Sequence, residues 1–405
     1  MTKKQDKILL IAFLIIIFIV FINYPIMITK ELLGKTSKVD NGTWQTYDSD
    51  ASIFEKLKIN IENRTTNYFP FYTGITSFYR NTEEKLNEKI YKLFSKPYIP
   101  AGTNSDGEYL IKDLTNNSYY AISNLTDEEL EIKLSTQIAF FNDLKKASGD
   151  IPVSIYLPSR LEFQKNINED LPYRNLSNYE ERFINELNKE INVRELIVDS
   201  KEEYNKLFYK SDHHWNMYGA YRGYLDIMSM LGKSDIQEIN INEESINFTG
   251  SFSRTTRNSN VYDKFYTVSN YNKNYTVKVN GEEPPSNFKP LSLENLNKKN
   301  IDFYDWYVGY FYGLYGNVVY DFKNTDKKNL LIISDSYAWQ IDYLIASSYN
   351  KTHVINLMYD EYVKKPLDYK KYIEENDIDE VLILQESITT IFDAFEHDFY
   401  GKVEF

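Results

Sequence analysis

The sequence predicts an α/β fold in which a parallel sheet is flanked by helices on both faces, with a β-rich insertion and an N-terminal transmembrane helix. Three observations predict it. Short, continuous apolar runs alternate with amphipathic helical stretches from residue 126 onward, as buried parallel strands and their crossovers do. That rhythm lapses between about residues 241 and 321, and an apolar run long enough to cross a bilayer opens the chain.

Composition sets the outer bounds. With 46 Lys and Arg against 59 Asp and Glu, the net charge of −13 argues against a dedicated nucleic-acid binder. The chain has no cysteine, so disulfides, thiolate metal sites and cysteine nucleophiles are excluded. Its 36 Tyr and 24 Phe offer large buried area, with a polar handle on each Tyr.

From Ile8 to Ile28 only Asn23 and Pro25 interrupt the apolar run, which at helical rise crosses roughly 30 Å of hydrocarbon. Lys3, Lys4 and Lys7 precede it, so the N-terminus is expected in the cytoplasm and everything after Lys30 outside. No Ala-x-Ala cleavage site follows, which favours a retained anchor over a signal peptide. Residues 1–30 therefore read as cytoplasmic stub and anchor, 31–115 as juxtamembrane spacer and small lobe, and 116–405 as the α/β domain.

In the spacer, the aromatic run Tyr68-Phe69-Pro70-Phe71-Tyr72 precedes a helix expected to open at Asn81-Thr-Glu-Glu84, with Leu86, Ile90 and Leu93 on one face and Pro97 after it. Ser105-Asp-Gly107 marks a turn before a strand at Tyr109–Ile111. Thr126-x-x-Glu129 is a capping box, and Leu130, Leu134, Ile138, Phe141 and Leu144 form the stripe of the helix it starts. Strands are expected at Pro152–Leu157, Leu196–Val198, Leu330–Ile333, His353–Leu357 and Val381–Leu384. Helices are expected from Asn178, from Trp339 to about Ser347 and from Leu367 to Glu375. Within the insertion, about 241–321, Asn280-Gly281 reads as a hairpin turn.

Two segments carry candidate chemistry. In Tyr209-Lys-Ser-Asp-His-His-Trp-Asn216, Asn216 caps a helix from Met217. Asp212 and His214 stand two apart, which in an extended backbone turns both to one side and His213 to the other, letting the carboxylate reach imidazole Nδ1. In Ile333-Ser-Asp-Ser-Tyr-Ala338, Ser336 follows the most strand-like run in the chain, at the sheet edge where open α/β folds bind ligands. Together Asp212, His214 and Ser336 supply orienting acid, base and nucleophile, in an arrangement where chain order is free. The amide of Tyr337 is the expected first oxyanion donor. Only four histidines exist, and His353 and His397 read as structural.

Asp212-His-His-Trp215 followed by Asn-Met-Tyr-Gly-Ala-Tyr221 resembles the signature of the DHHW family, itself similar to the alginate O-acetyltransferase-like branch of the SGNH hydrolase superfamily. That branch pairs an upstream Asp-x-His with a Gly-Asp-Ser nucleophile motif, matched here by Asp212–His214 and Asp335-Ser336. Ser334 stands where the family has Gly. The resemblance extends loosely from about Glu62-Asn-Arg64 through Phe248-Thr-Gly-Ser251 to the last strand.

It implies an SGNH-hydrolase-like fold and a membrane-anchored, extracytoplasmic serine O-acetyltransferase or acetylesterase acting on a cell-surface polysaccharide through an acetyl-serine intermediate. By the same resemblance Asn317 is a candidate second oxyanion donor; His213, facing away from the base, and its neighbour Trp215 beside these reactive residues are read as substrate candidates. No cofactor and no metal are expected, and a multi-spanning membrane O-acyltransferase is the implied acetyl donor. Two alternatives stand beside it: a noncatalytic glycan-binding or assembly protein of the same fold, and a manganese phosphoesterase, which also uses Asp-His-His.

Overall fold

The structure is a computed structural model that describes residues 72–93, 97–104, 107–167, 173–284, 305–311, 315–359, 365–393 and 399–405. The expected anchor at Ile8–Ile28, its lysines, the spacer up to residue 71 and His397 lie outside these. Among the described residues no helix is long and apolar enough to cross a membrane. The chain divides into two compact units, one holding the helix of residues 72–93 and Arg254–Asn260, the other Ser95–Ser253 and Val261–Phe405.

In the first unit, α1 (Tyr72–Leu93) starts nine residues before the expected Asn81. The Asn-Thr-Glu-Glu signal sits inside the helix, where Thr82 Oγ1 donates back to the Phe78 carbonyl at 2.7 Å instead of capping an end. Leu86 and Ile90, expected on one face of the helix, are exposed.

The second unit is built on a seven-stranded sheet of order β5-β4-β13-β10-β11-β9-β8. Its strands are β4 (Val153–Leu157), β5 (Asn192–Glu195), β8 (Thr276–Val279), β9 (Asn317–Asp321), β10 (Leu330–Ser334), β11 (Lys351–Asn356) and β13 (Glu380–Leu384). The first five in that order are parallel, and β9 and β8 add an antiparallel edge. Every residue of β4, β10 and β13 is buried, because alternate side chains enter two separate cores. Leu330, Ile332, Leu382 and Leu384 face one core, with Met217, Tyr224 and Met228 of the helix Met217–Met230. Leu331, Ile333, Val381 and Ile383 face the other, with Leu134, Phe141 and Leu144 of α2 (Asp127–Ser148) and Phe183 of α3 (Ser177–Leu187). The Thr126–Glu129 capping box starts α2 as the sequence predicts.

Four expectations are corrected. The section 241–321 is only partly an insertion: β6 (Asn240–Phe248) and β7 (Asp263–Ser269) form a separate antiparallel ribbon, but β8 and β9 join the main sheet. Asn280-Gly281 does make a tight turn, with φ of 49° and 84°, yet only a single bridge from Val279 to Glu282 closes it, and the strand partner of β8 is β9. Leu196–Val198 follows β5 rather than forming it; the Leu196 amide donates to Leu157 O at 2.8 Å and the Val198 amide to Gln164 Oε1 at 3.0 Å, so these two residues are buried outside any strand. Finally, the three-stranded sheet β1 (Tyr98–Thr103), β2 (Tyr109–Asp113), β3 (Ser118–Ile122), placed by sequence mostly in the small lobe, clusters with the α/β unit.

Candidate active site

The helices α4 (Lys201–Leu207) and α5 (Met217–Met230) are joined by the loop that carries Asp212, His213 and His214. Asn216 closes it as the N-cap of α5, its Oδ1 accepting from Tyr218 N at 2.9 Å and Gly219 N at 3.2 Å. A bridge between Phe208 and Trp215 and the bond from Tyr209 N to His214 O, 3.1 Å, hold the loop's two ends together. The segment between them is bent, not extended. Asp212 Oδ1 accepts from the His214 backbone amide at 3.1 Å and lies 2.6 Å from His214 Nδ1, an Asx-type turn that delivers the expected contact by a different backbone route.

The bend changes the fate of His213. An extended loop would turn it away, but its ring lies 3.8 Å from that of His214, and its Nδ1 is 2.8 Å from Ser251 Oγ. His213 is partly exposed, whereas Asp212 and His214 are buried.

Ser336 opens a short 3-10 turn, Ser336–Gln340, at the carboxyl end of β10. Its Oγ lies 2.7 Å from His214 Nε2. With Nδ1–H donated to the Asp212 carboxylate, Nε2 carries the lone pair that accepts the serine proton. The structure thus brings together Asp212, His214 and Ser336, with the histidine and the serine 122 positions apart in the chain. Ser334, where the resembling family has Gly, is the last residue of β10, is buried, and has an ordinary backbone conformation.

Other expected site residues are placed elsewhere. The Tyr337 amide donates to Asp335 Oδ1 at 2.9 Å, so it caps the turn instead of facing a reacting oxygen. Asn317 lies on β9, two strands from β10 and so roughly 10 Å away by strand spacing, and its Nδ2 donates to Tyr372 Oη at 3.1 Å. Trp215 is fully buried and its Nε1 donates to the Tyr337 carbonyl at 3.1 Å. It ties the histidine loop to the serine turn and cannot touch a substrate.

Sequence reasoning missed the support under Asp212. Ser251 N donates to Asp212 Oδ2 at 2.6 Å, and the preceding Gly250 passes so close that an added Cβ would stand 2.3 Å from Asp212 Cβ and 2.6 Å from its Oδ2. The only signal was Thr249-Gly-Ser251 in the loosely matching stretch.

A buried charge cluster also lies beneath the turn. Arg160 pairs with Glu162, with Glu108 at 2.8 Å and with Glu386 at 3.5 Å. Glu386 Oε1 is 3.0 Å from Tyr337 Oη. Burial pushes the Asp335 carboxyl up to about 7 and that of Glu386 up to about 8, against the amide donors of Tyr337 and Glu386 in the first case and the Arg160 charge in the second.

The ligating atoms of Asp212, His213 and His214 all lie within 4.8 Å of one another. A cation there would have to displace either the Asp212 or the Ser336 contact from His214, since both ring nitrogens are engaged. The set is better arranged to move a proton than to hold a metal.

No family model matches the sequence, and no curated protein matches it. Solved structures do. PatB1 of Bacillus cereus aligns with a TM-score of 0.51 at 19% identity over 74% of this chain and 100% of its own. A second PatB1 structure, with a sulfonyl adduct, gives 0.51 at 18% over 71% and 97%. A DHHW family protein from Eubacterium siraeum aligns with a TM-score of 0.49 at 16% identity over 73% and 97%. The O-acetyltransferase domain of Pseudomonas putida AlgJ gives 0.39 at 10% over 68% and 89%. This chain is similar to PatB1 in fold, a mixed α/β sheet flanked by helices.

Proposed function

We propose that this protein is an SGNH-type serine O-acetyltransferase or acetylesterase, anchored in the membrane by Ile8–Ile28 with its catalytic unit outside the cytoplasm, acting on a cell-surface polysaccharide. The observation that carries the reading is the chain of contacts from Asp212 Oδ1 to His214 Nδ1, 2.6 Å, and from His214 Nε2 to Ser336 Oγ, 2.7 Å. The sequence resemblance and the fold shared with PatB1 support it, as does the sulfonyl adduct that PatB1 carries in one structure.

In this mechanism Ser336 Oγ attacks the acetyl carbonyl while His214 Nε2 takes its proton; Asp212 holds the ring and stabilises the imidazolium. Collapse of the tetrahedral adduct breaks the ester bond, and the departing alkoxide takes the proton from His214. An acetyl-Ser336 ester remains. A sugar hydroxyl or water then gives its proton to His214 and attacks that ester, releasing Ser336 with the proton returned. Transfer and hydrolysis differ only in this acceptor. In the transfer case a multi-spanning membrane O-acyltransferase supplies the acetyl groups.

Turnover of 4-nitrophenyl acetate by the full-length chain tests the chemistry, and protease shaving of intact cells tests the placement. Release of acetate by the wild-type chain, with loss of the folded unit on shaving, is expected. A folded chain with no turnover of any acetyl ester would return the noncatalytic glycan-binding alternative, and full protection from shaving would remove the anchor orientation.

A further inference from the structure

We propose that Tyr307, from the insertion region, is a positioning residue that clamps the base and the nucleophile of this site together; the proposal rests on the acyl-transfer reading above.

Tyr307 stands in the first turn of α6 (Trp306–Phe311) and is buried. Its ring lies flat on His214, with centroids 3.8 Å apart and planes 10° from parallel. His213 is packed 3.8 Å from the same ring at 36°, so the imidazole of His214 is held between two aromatic neighbours. The Tyr307 hydroxyl donates to the carbonyl of Ser336 itself at 2.9 Å, and it accepts from Gln340 Nε2 at 3.2 Å. Gln340 Nε2 also donates to the Trp215 carbonyl at 2.8 Å. One side chain therefore touches the base through its ring and the backbone of the nucleophile through its hydroxyl. Burial pushes the phenol well above its ordinary range, so the hydroxyl stays a donor throughout any working pH.

The physical consequence is specific to the reaction. When Ser336 gives up its proton, His214 becomes a cation beneath a π face, and a desolvated cation on a tyrosine ring is attracted to it. That attraction exists only once charge has developed, so it favours the transition state over the resting state. The stack also bars the imidazole from turning away from Ser336 Oγ. A purely structural tyrosine, packed only against Phe311 at 4.9 Å and Trp339 at 5.8 Å, would do neither.

The test uses the full-length chain, 4-nitrophenyl acetate turnover, the rate of covalent labelling by a sulfonyl fluoride, and the melting temperature. Three variants are compared: Tyr307→Phe, which keeps the ring; Tyr307→Met, which refills the volume without a flat π face; and Ser336→Ala. Tyr307→Met is expected to lose about 30-fold in kcat with KM nearly unchanged, and the labelling rate should fall in parallel. Tyr307→Phe should restore most of that loss, remaining within about 10-fold of wild type. A wild-type kcat in Tyr307→Met overturns the proposal. So does an equal loss in Phe and Met that tracks melting temperature, or a rise in KM alone. If Tyr307→Met does not fold, Tyr307→Phe decides: a folded Phe variant that loses more than about 10-fold in kcat overturns the proposal. Unchanged turnover in Ser336→Ala instead defeats the acyl-transfer reading beneath it, while an inactive Ser336→Ala beside a normal Tyr307→Met defeats the Tyr307 role alone.

Discussion

Replacing Gly250 by alanine should separate catalytic geometry from stability. An alanine Cβ at this position meets Asp212 Cβ at 2.3 Å, Asp212 Oδ2 at 2.6 Å and the Ser211 carbonyl at 2.7 Å. Ordinary contact begins near 3.4 Å, so Asp212 must retreat by about 1 Å or the Gly250 backbone must. Either movement breaks the 2.6 Å bond from Ser251 N or the 2.6 Å contact with His214 Nδ1. Overpacking of this kind costs about 1–3 kcal/mol. Misplacement of a catalytic group by about 1 Å costs on the order of 10²-fold in rate. The matched control is Gly232→Ala, at φ 66° with no atom within 4 Å of the new Cβ, which takes a strain of about 1–2 kcal/mol far from this chemistry. Acetyl-ester turnover and thermal melting of both variants form the assay. Comparable losses of melting temperature are expected, with a large loss of kcat in Gly250→Ala only. A folded Gly250→Ala with wild-type kcat would refute the reasoning that Gly250 sets the place of Asp212.

Two other outcomes follow from the same geometry. Under the proposed mechanism His214→Ala should lose turnover by several orders of magnitude, since the members of such a triad act as a unit, and Asp212→Ala somewhat less. His213→Ala should retain most activity; a catalytic loss confined to His213 in steady-state kinetics would show that the wrong ring has been assigned. For pH, the buried Asp335 carboxyl is raised from 3.8 to about 7. The folded state then binds more protons than the unfolded state over that interval, and the Asp335 contribution falls as pH rises from about 4 to about 7 and is level above it. Melting curves across this range should therefore show a shallower decline for Asp335→Asn than for wild type. Equal slopes would mean that Asp335 does not titrate there.

How far the sequence reached depended on whether a feature was local. The capping box at Thr126 and the apolar runs of β4, β10 and β13 are written in adjacent residues, and each formed as expected. Asp212 and His214 were legible because two positions of spacing suffice for a carboxylate to reach a ring, though through an Asx turn instead of an extended strand. Ser336 was legible from its place after β10.

What was hidden depends on distant segments. Ser251 reaches Asp212 across 39 positions, and Tyr307 reaches Ser336 across 29, with no periodic or motif signal to announce either. The edge strand β8 was read outside the main sheet because its short Thr276–Val279 run carries its pairing information in β9, beyond a long connection. Trp215 was placed near substrate because its neighbours are reactive, but its indole is consumed by the Tyr337 carbonyl.

Whether Ser336 carries the acetyl group is the most direct measurement. The full-length chain is mixed with an isotopically labelled acetyl ester, quenched in acid within the first turnovers, digested and read by mass spectrometry. Labelled acetyl on the peptide at Ser336 is expected in the wild-type chain, with none in Ser336→Ala and with none in His214→Ala on the same time scale. Rapid turnover of the ester with label on another residue, or undiminished turnover in Ser336→Ala, would contradict the acetyl-serine mechanism.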